Sequence, residues 1–339
     1  MLHEQPAAEK VPVTILTGFL GSGKTTLLNH ILTERHGHRI AVIENEFGEV
    51  DVDSDLVLAS EEEIFQMQNG CICCFVDVRN DLVEVLQKLL ARKDKFDHIL
   101  VETSGLADPT PVATSFFIDN EVAGQLELDG IVTLVDAKHI AQHVDDPLLD
   151  GRDNQAVDQI VAADRIVINK VDLVDDAHVA SLEGNLRKLN QTADILTSSY
   201  GKVDLANILG ISGFQPSYVA ERAKLLNLDD DHGHHHHHHA HDTSVTSESF
   251  TFEKPFDRTK LEKTLSAWLE ANGDDVFRTK GILAVDGDDR FHVLQAVHKL
   301  IDFRADHGWG KDDRFSKLVF IGRNLDRARI GDMLEDCLA

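Results

Sequence analysis

Nine residues constrain this chain more than any others: Gly18-Phe-Leu-Gly-Ser-Gly-Lys-Thr-Thr26. They fit the pattern G-x-x-x-x-G-K-[ST] at Gly18, Gly23, Lys24 and Thr25. Glycines let backbone N–H groups curl around a phosphate with no Cβ in the way. The lysine ammonium reaches the outer phosphates, and the threonine hydroxyl ligates Mg²⁺. Gly21, Ser22 and Thr26 complete the cradle. The β-branched apolar run Val11–Thr17 precedes the loop, and Thr26–Leu32 spaces its apolar residues as a helix does. Strand, glycine loop, helix is the setting such a loop needs, because the helix N-terminus then faces the phosphates.

Six further apolar runs read as strands: 39–44, 63–68, 96–102, 130–136, 164–169 and 194–199. Helical spacing separates several of them, over 77–90 and from Thr110 towards Asn120. This predicts an α/β fold, a P-loop NTPase with a mostly parallel, doubly wound sheet of six or seven strands over residues 11 to about 210. Strand order stays open. In such sheets ligands sit at the carboxyl ends of strands, so chemistry is sought there.

Two strand ends carry it. Glu102 ends one run, and Gly105 follows three residues later. An acid there holds Mg²⁺ through water, and the glycine N–H meets the γ-phosphate. With Lys24, these are the candidate catalytic groups; the acid is Glu rather than the commoner Asp. Asn169-Lys170-Val171-Asp172 ends another strand and has the form of a guanine signature. The Asp172 carboxylate accepts from guanine N1–H and the exocyclic amine. Adenine lacks those donors and would leave a buried carboxylate unpaired. Asn169 braces the loop, the Lys170 stem lies along the base, and Ser198 reaches the base from the last strand. No water-activating side chain stands out; Glu44, Glu46 and Asp108 are the acidic candidates.

Between these motifs lies Cys71-Ile72-Cys73-Cys74. Adjacent and alternate cysteines cannot share one face of a strand, but in a turn they converge on one ion. Thiolate sulfur suits Zn²⁺ and softer metals, and three sulfurs leave a tetrahedral site one ligand short. A carboxylate, imidazole or water would complete it. The acidic segment 45–53 hangs near the phosphates and is a candidate switch loop.

Composition narrows the partners. The chain has 33 Lys and Arg against 59 Asp and Glu, a net charge of −26. That argues against nucleic acid and against an anionic membrane. No run approaches a membrane span, and no leader peptide is visible, so a cytoplasmic protein is expected. Its four cysteines are then thiols or metal ligands rather than disulfides.

At 339 residues two domains are expected. We read 1–210 as the nucleotide-binding domain, 211–247 as a connection, and 248–339 as a small α+β domain. The connection holds eight histidines, at 232, 234–239 and 241. His232, His234, His236, His238 and His241 are candidate loose ligands for divalent metals. In the last domain, strands are expected over 250–256, 276–286, 291–303 (one or two strands) and 317–322, with helices over 257–271 and 326–337.

The glycine loop, Glu44-Asn-Glu-Phe-Gly-Glu49, Gly70-Cys-Ile-Cys-Cys74, Glu102-Thr-Ser-Gly105 and Asn169–Asp172, in this order, resemble the CobW-type metallochaperone GTPases. The resemblance covers nearly the whole chain. It implies a GTPase with Mg²⁺ held by Thr25 and with Glu102 in the place of the usual metal-side aspartate; the lack of a clear water-activating side chain adds the expectation of slow turnover. It also implies Zn²⁺ or Co²⁺ bound at the C-x-C-C motif, with Glu44 and Glu49 as carboxylate ligands, and delivery to a client metalloprotein or metal-insertion pathway. Metal affinity would follow the nucleotide state, GTP or GDP. A regulatory GTPase with structural cysteines and a His-rich metal storage protein are the rival readings. Oligomeric state is left open, a homodimer included.

Overall fold

The computed structural model describes residues 10–34, 37–44, 63–66, 82–83, 85–87, 89–91, 96–118, 120–144, 154–214, 245–310 and 314–339. The cysteine motif, Glu46, Glu49 and the histidine tract lie outside these residues. The chain divides into two compact units. The first comprises the described residues of Met1–Asp136, Arg165–Leu173 and Leu196–Ser212. The second comprises those of Ala137–Asp164, Val174–Ile195 and Gly213–Ala339.

The first unit contains β1 (Val11–Gly18), α1 (Lys24–Thr33), β2 (Ile40–Glu44), β3 (Glu63–Gln66), β4 (His98–Glu102), α2 (Thr110–Ile118), α3 (Asn120–Gln125) and β5 (Leu126–Asp136). Chain order continues through α4 (Ile140–Val144), α5 (Gln155–Ala162), β6 (Arg165–Asn169), α6 (Asp176–Leu189) and β7 (Asp194–Thr197). The seven strands form one sheet in the order β3-β2-β4-β1-β5-β6-β7. Pairs β1–β4, β1–β5, β2–β3, β2–β4 and β5–β6 are parallel. Ile40–Ile43, Ile99–Val101 and Ile166–Ile168 are buried throughout. Unbroken apolar runs of this kind mark strands covered on both faces.

Strand β5 starts four residues before the apolar run at Gly130, because Glu127 and Asp129 mask it. A bulge pairs Val13 with Leu128 and Thr14 with Gly130, leaving Asp129 out of register. The Asp129 carboxylate then accepts from the backbone N–H of Ile211 (3.1 Å) and Ser212 (2.7 Å) and from the Thr14 hydroxyl (2.9 Å). His98 Nε2 lies 2.7 Å from that hydroxyl. Burial pushes the His98 pKa down to about 4, against the pull of Asp129. The imidazole is therefore neutral at pH 7.

The second unit adds β8 (Val245–Phe252), α7 (Arg258–Asn272), β9 (Val276–Ala284), β10 (Arg290–Val297), β11 (Leu300–Gly308), β12 (Ser316–Arg323) and α8 (Arg327–Glu335). Its sheet is antiparallel, ordered β11-β10-β9-β12-β8. Strand β8 begins five residues before Phe250, where polar Ser247 and Ser249 hide the alternation, and it stops short of Pro255. Proline has no N–H for a ladder. The run 291–303 resolves into a hairpin turning at His298, whose φ is 48°. Asp257 and Asp326 cap α7 and α8 by accepting from the N–H of Lys260 and Arg329.

One face of this sheet packs Leu283, Leu294, Leu318 and Phe320 against Leu261, Leu265 and Leu269 of α7. In another cluster, Val157 and Val161 of α5 join Val245, Phe277, Val319 and Ile321. Beside it, Asp164 Oδ1 accepts from Arg278 Nη2 and Lys280 Nζ, each at 2.6 Å. Asp164, Arg278 and Lys280 are 0%, 2% and 4% exposed. Arg278 also donates to the Ala162 carbonyl and lies over the Phe214 ring. No described helix is long and apolar enough to cross a membrane.

Candidate nucleotide and metal site

The loop between β1 and α1 has the backbone that the glycines predict. Gly18 and Gly23 take φ of 143° and 105°. A Cβ on Gly18 would meet the Leu134 carbonyl oxygen, and one on Gly23 would meet the Asn169 side-chain amide. Both positions therefore demand glycine for conformation and for space. Lys24 opens α1 and donates to the Gly18 carbonyl at 2.7 Å. The Ser22 hydroxyl is buried, with no hydrogen-bond partner among the described residues. An orphaned hydroxyl beside curled backbone amides suits a phosphate oxygen.

Asn169 and Lys170, two of the residues expected to read the base, meet this loop. Asn169, at the end of β6, donates from Nδ2 to the Ser22 carbonyl (2.9 Å) and accepts at Oδ1 from the Gly201 N–H (3.1 Å). It thus braces the glycine loop against the 198–202 loop. Lys170 has φ 63° and donates to the Gly21 carbonyl at 2.6 Å and to Asp136 Oδ2 at 2.8 Å. Asp172 is exposed on the short 3-10 turn Val171–Leu173. Ser198 is buried: its N–H donates to Ile168, its carbonyl accepts from Val171, and its hydroxyl donates to Lys202.

Glu102 ends β4, in register with Leu16 of β1 and Glu44 of β2. Thr103 ties this end to β1 through the Leu16 carbonyl (2.9 Å) and the Thr17 hydroxyl (2.8 Å). Gly105 is buried under Leu20, which a Cβ would approach to 2.7 Å. Asp108 accepts from the Thr110 N–H just before α2. Thr25 and Thr26 lie in the first turn of α1.

The structure therefore brings Gly18, Gly21, Ser22, Gly23 and Lys24 together with Asn169 and Lys170. It sets Glu102 and Gly105 beside them on the neighbouring strand end. Cys71, Cys73, Cys74, Glu49, His232, His234, His236, His238 and His241 lie outside the described residues, and only the backbone of Glu44 is described. Among the described residues no group of three or more His, Cys, Asp or Glu side chains converges to hold a metal. Asp136 is the residue that sequence reasoning passes over. Its signal was an acidic residue ending an apolar strand, as at Glu102. Leu20, Leu106, Leu173 and Tyr200 are exposed large apolar side chains, all on loops at the carboxyl ends of strands.

Residues 12–197 match the family model of the CobW/HypB/UreG nucleotide-binding domain. Residues 245–338 match that of the cobalamin synthesis protein cobW C-terminal domain. This chain belongs to the CobW family. CobW relatives match it over nearly their whole length. The zinc chaperone YjiA of Escherichia coli is 34% identical over 94% of this chain and 96% of its own. The zinc chaperone CobW of Pseudomonas aeruginosa is 35% identical over 97% and 92%. The zinc-regulated GTPase metalloprotein activator 1 of Schizosaccharomyces pombe is 31% identical over 96% and 86%. The crystal structure of the Zn(II)-bound YjiA GTPase superposes with a TM-score of 0.76, covering 98% of this chain and 100% of that one at 30% identity.

Proposed function

We propose that this P-loop GTPase is a zinc metallochaperone acting in the cytoplasm. In this reading GTP binds through Gly18–Thr26, with its base read by Asn169, Lys170 and Asp172. Zn²⁺, the cargo, binds Cys71, Cys73 and Cys74, with Glu44 or Glu49 completing the site. The chief support is near full-length similarity to proteins named zinc chaperones, in a chain that carries three thiols in four residues. Zinc is favoured over cobalt because a thiolate site binds it more tightly. Thr25 and Glu102 are the residues that would hold Mg²⁺, which supplies charge neutralisation to the phosphates.

Function follows from coupling two ligands. In chain order the 45–53 segment comes after β2 and the 71–74 segment after β3, strands that run parallel, by way of β4, to β1, which leads into the glycine loop. GTP that draws carboxylate towards thiolate raises zinc affinity; hydrolysis lowers it and releases zinc to a client metalloprotein. Linkage then requires zinc to tighten GTP binding by the same factor. The His-rich 211–247 connection collects metal loosely ahead of the thiolate site.

The test is zinc titration of the full chain with GDP and with a non-hydrolysable GTP analogue. Tighter zinc binding with the analogue is expected, and Cys73→Ala should abolish the difference. Equal affinities in the two states would sink the coupled mechanism. Deleting 232–241 should leave the tight site intact; loss of that site would make the protein a His-based store instead.

A further inference from the structure

We propose that Asp136 is a positioning residue for base recognition. Its carboxylate holds the Lys170 side chain so that the lysine stem forms one wall of the base slot. This rests on the guanine reading of Asn169–Asp172 and deepens it.

Three observations carry the inference. Asp136 is the last residue of β5 and lies in register with Asn169 of β6. Its Oδ2 pairs with Lys170 Nζ at 2.8 Å, with the two side chains 11% and 31% exposed. The same ammonium donates to Gly21 of the phosphate loop, so one lysine tip bridges β5 and the glycine loop.

The physics asks why a carboxylate sits there at all. Beside a phosphate site a lone negative charge opposes the ligand; paired with Lys170 it is neutralised locally. Lysine is a flexible four-carbon stem that loses much rotamer freedom when held. Its backbone here takes a left-handed φ, which non-glycine residues avoid and which collects at functional sites. The ion pair and the Gly21 bond fix the tip of that stem, and the left-handed backbone sets the direction from which it starts. With the wall fixed, the base plane is fixed, and Asp172 meets the guanine edge squarely. Asp136 itself need not touch the nucleotide.

The experiment measures binding of GDP, and of inorganic pyrophosphate by competition, to the full chain and three variants. Asp136→Asn should weaken GDP about tenfold, the change that goes with about 1.4 kcal/mol. Pyrophosphate, which has no base, should be unaffected. Lys170→Ala should weaken GDP, and the double variant should be no weaker than Lys170→Ala alone, because the aspartate acts through the lysine. Asp136→Glu keeps the charge and should recover most of the affinity. It carries the test if Asp136→Asn does not fold.

Outcomes separate cleanly. If Lys170→Ala binds GDP as the unaltered chain does, both the base reading and the role of Asp136 are overturned. If Lys170→Ala is weakened and Asp136→Asn is not, only the role of Asp136 is overturned. Equal losses for GDP and pyrophosphate, or additive losses in the double variant, also overturn it, since Asp136 would then support the loop generally.

Discussion

Two ion-paired clusters in this molecule use the same chemistry in opposite ways. Asp164, with Arg278 and Lys280, is sealed in the second unit, and its carboxylate is fully buried. Asp136, with Lys170, stands at the loop end of the first unit, and its lysine is nearly a third exposed. In the dry cluster each partner depends on the others, because a charge stranded away from water is costly. In the wet cluster water and ligand can replace a partner. The dry cluster therefore holds architecture together, and the wet pair can adjust a site.

That contrast predicts a ranking of effects. Asp164→Ala removes the carboxylate that two buried cations share and should destabilise the fold by about 3–5 kcal/mol, read in a thermal or denaturant melt. A loss below about 1 kcal/mol would show that water reaches the cluster and would erase the contrast.

The buried network around His98 comes next. Its folded pKa of about 4 lies below the ordinary value near 6.5, so the unfolded chain takes up the proton first. The stability from keeping this histidine neutral is complete above about pH 6.5 and declines as pH falls towards 4. The size is on the order of 3 kcal/mol at most. Denaturation midpoints measured across this window should fall with acid, and His98→Asn should flatten the slope. A slope unchanged in that variant would assign the acid sensitivity elsewhere.

Gly23→Ala tests whether the loop end is as adaptable as its exposed charges suggest. Its φ of 105° and the Asn169 amide both oppose a Cβ. A stability loss of about 1–3 kcal/mol is expected, together with loss of GDP binding in a titration. Retained binding would mean that Asn169 can move aside.

Smallest is the exposed pair Arg39–Asp97, at 3.0 Å. Arg39 holds the Asp97 carboxyl below its usual range. Asp97→Ala should nevertheless cost under about 1 kcal/mol and be masked by salt. A larger effect would remove exposure as the variable that separates the clusters.

Particular residues show what was legible in advance. The places of Lys24, Glu102 and Asn169 at a helix start and two strand ends were legible, because the apolar runs and the glycine loop fix where those elements begin and end. Six or seven strands were expected, and β2, β4 and β6 were legible because buried parallel strands are unbroken apolar runs. The early start of β5 was not, since Asp129 looks like a turn residue until the backbone N–H groups of Ile211 and Ser212 come to meet it. Helices α5 and α6 carried no motif, and their role against β8, β9 and β12 came only with packing.

Sequence alone determined the motifs: a glycine loop of the phosphate-binding pattern, the Asn169–Asp172 tetrad, a clustered set of thiols and a CobW-type order among them. These are local, set by residue types a few positions apart. Tertiary structure decided the strand order, the bridge from Lys170 to Asp136 and Gly21, and the burial of Asp164 between Arg278 and Lys280. Those partners lie 34 residues or more apart along the chain. No local pattern encodes which distant charge will be brought within reach, because chain closure over such distances is fixed by the packing of the whole fold.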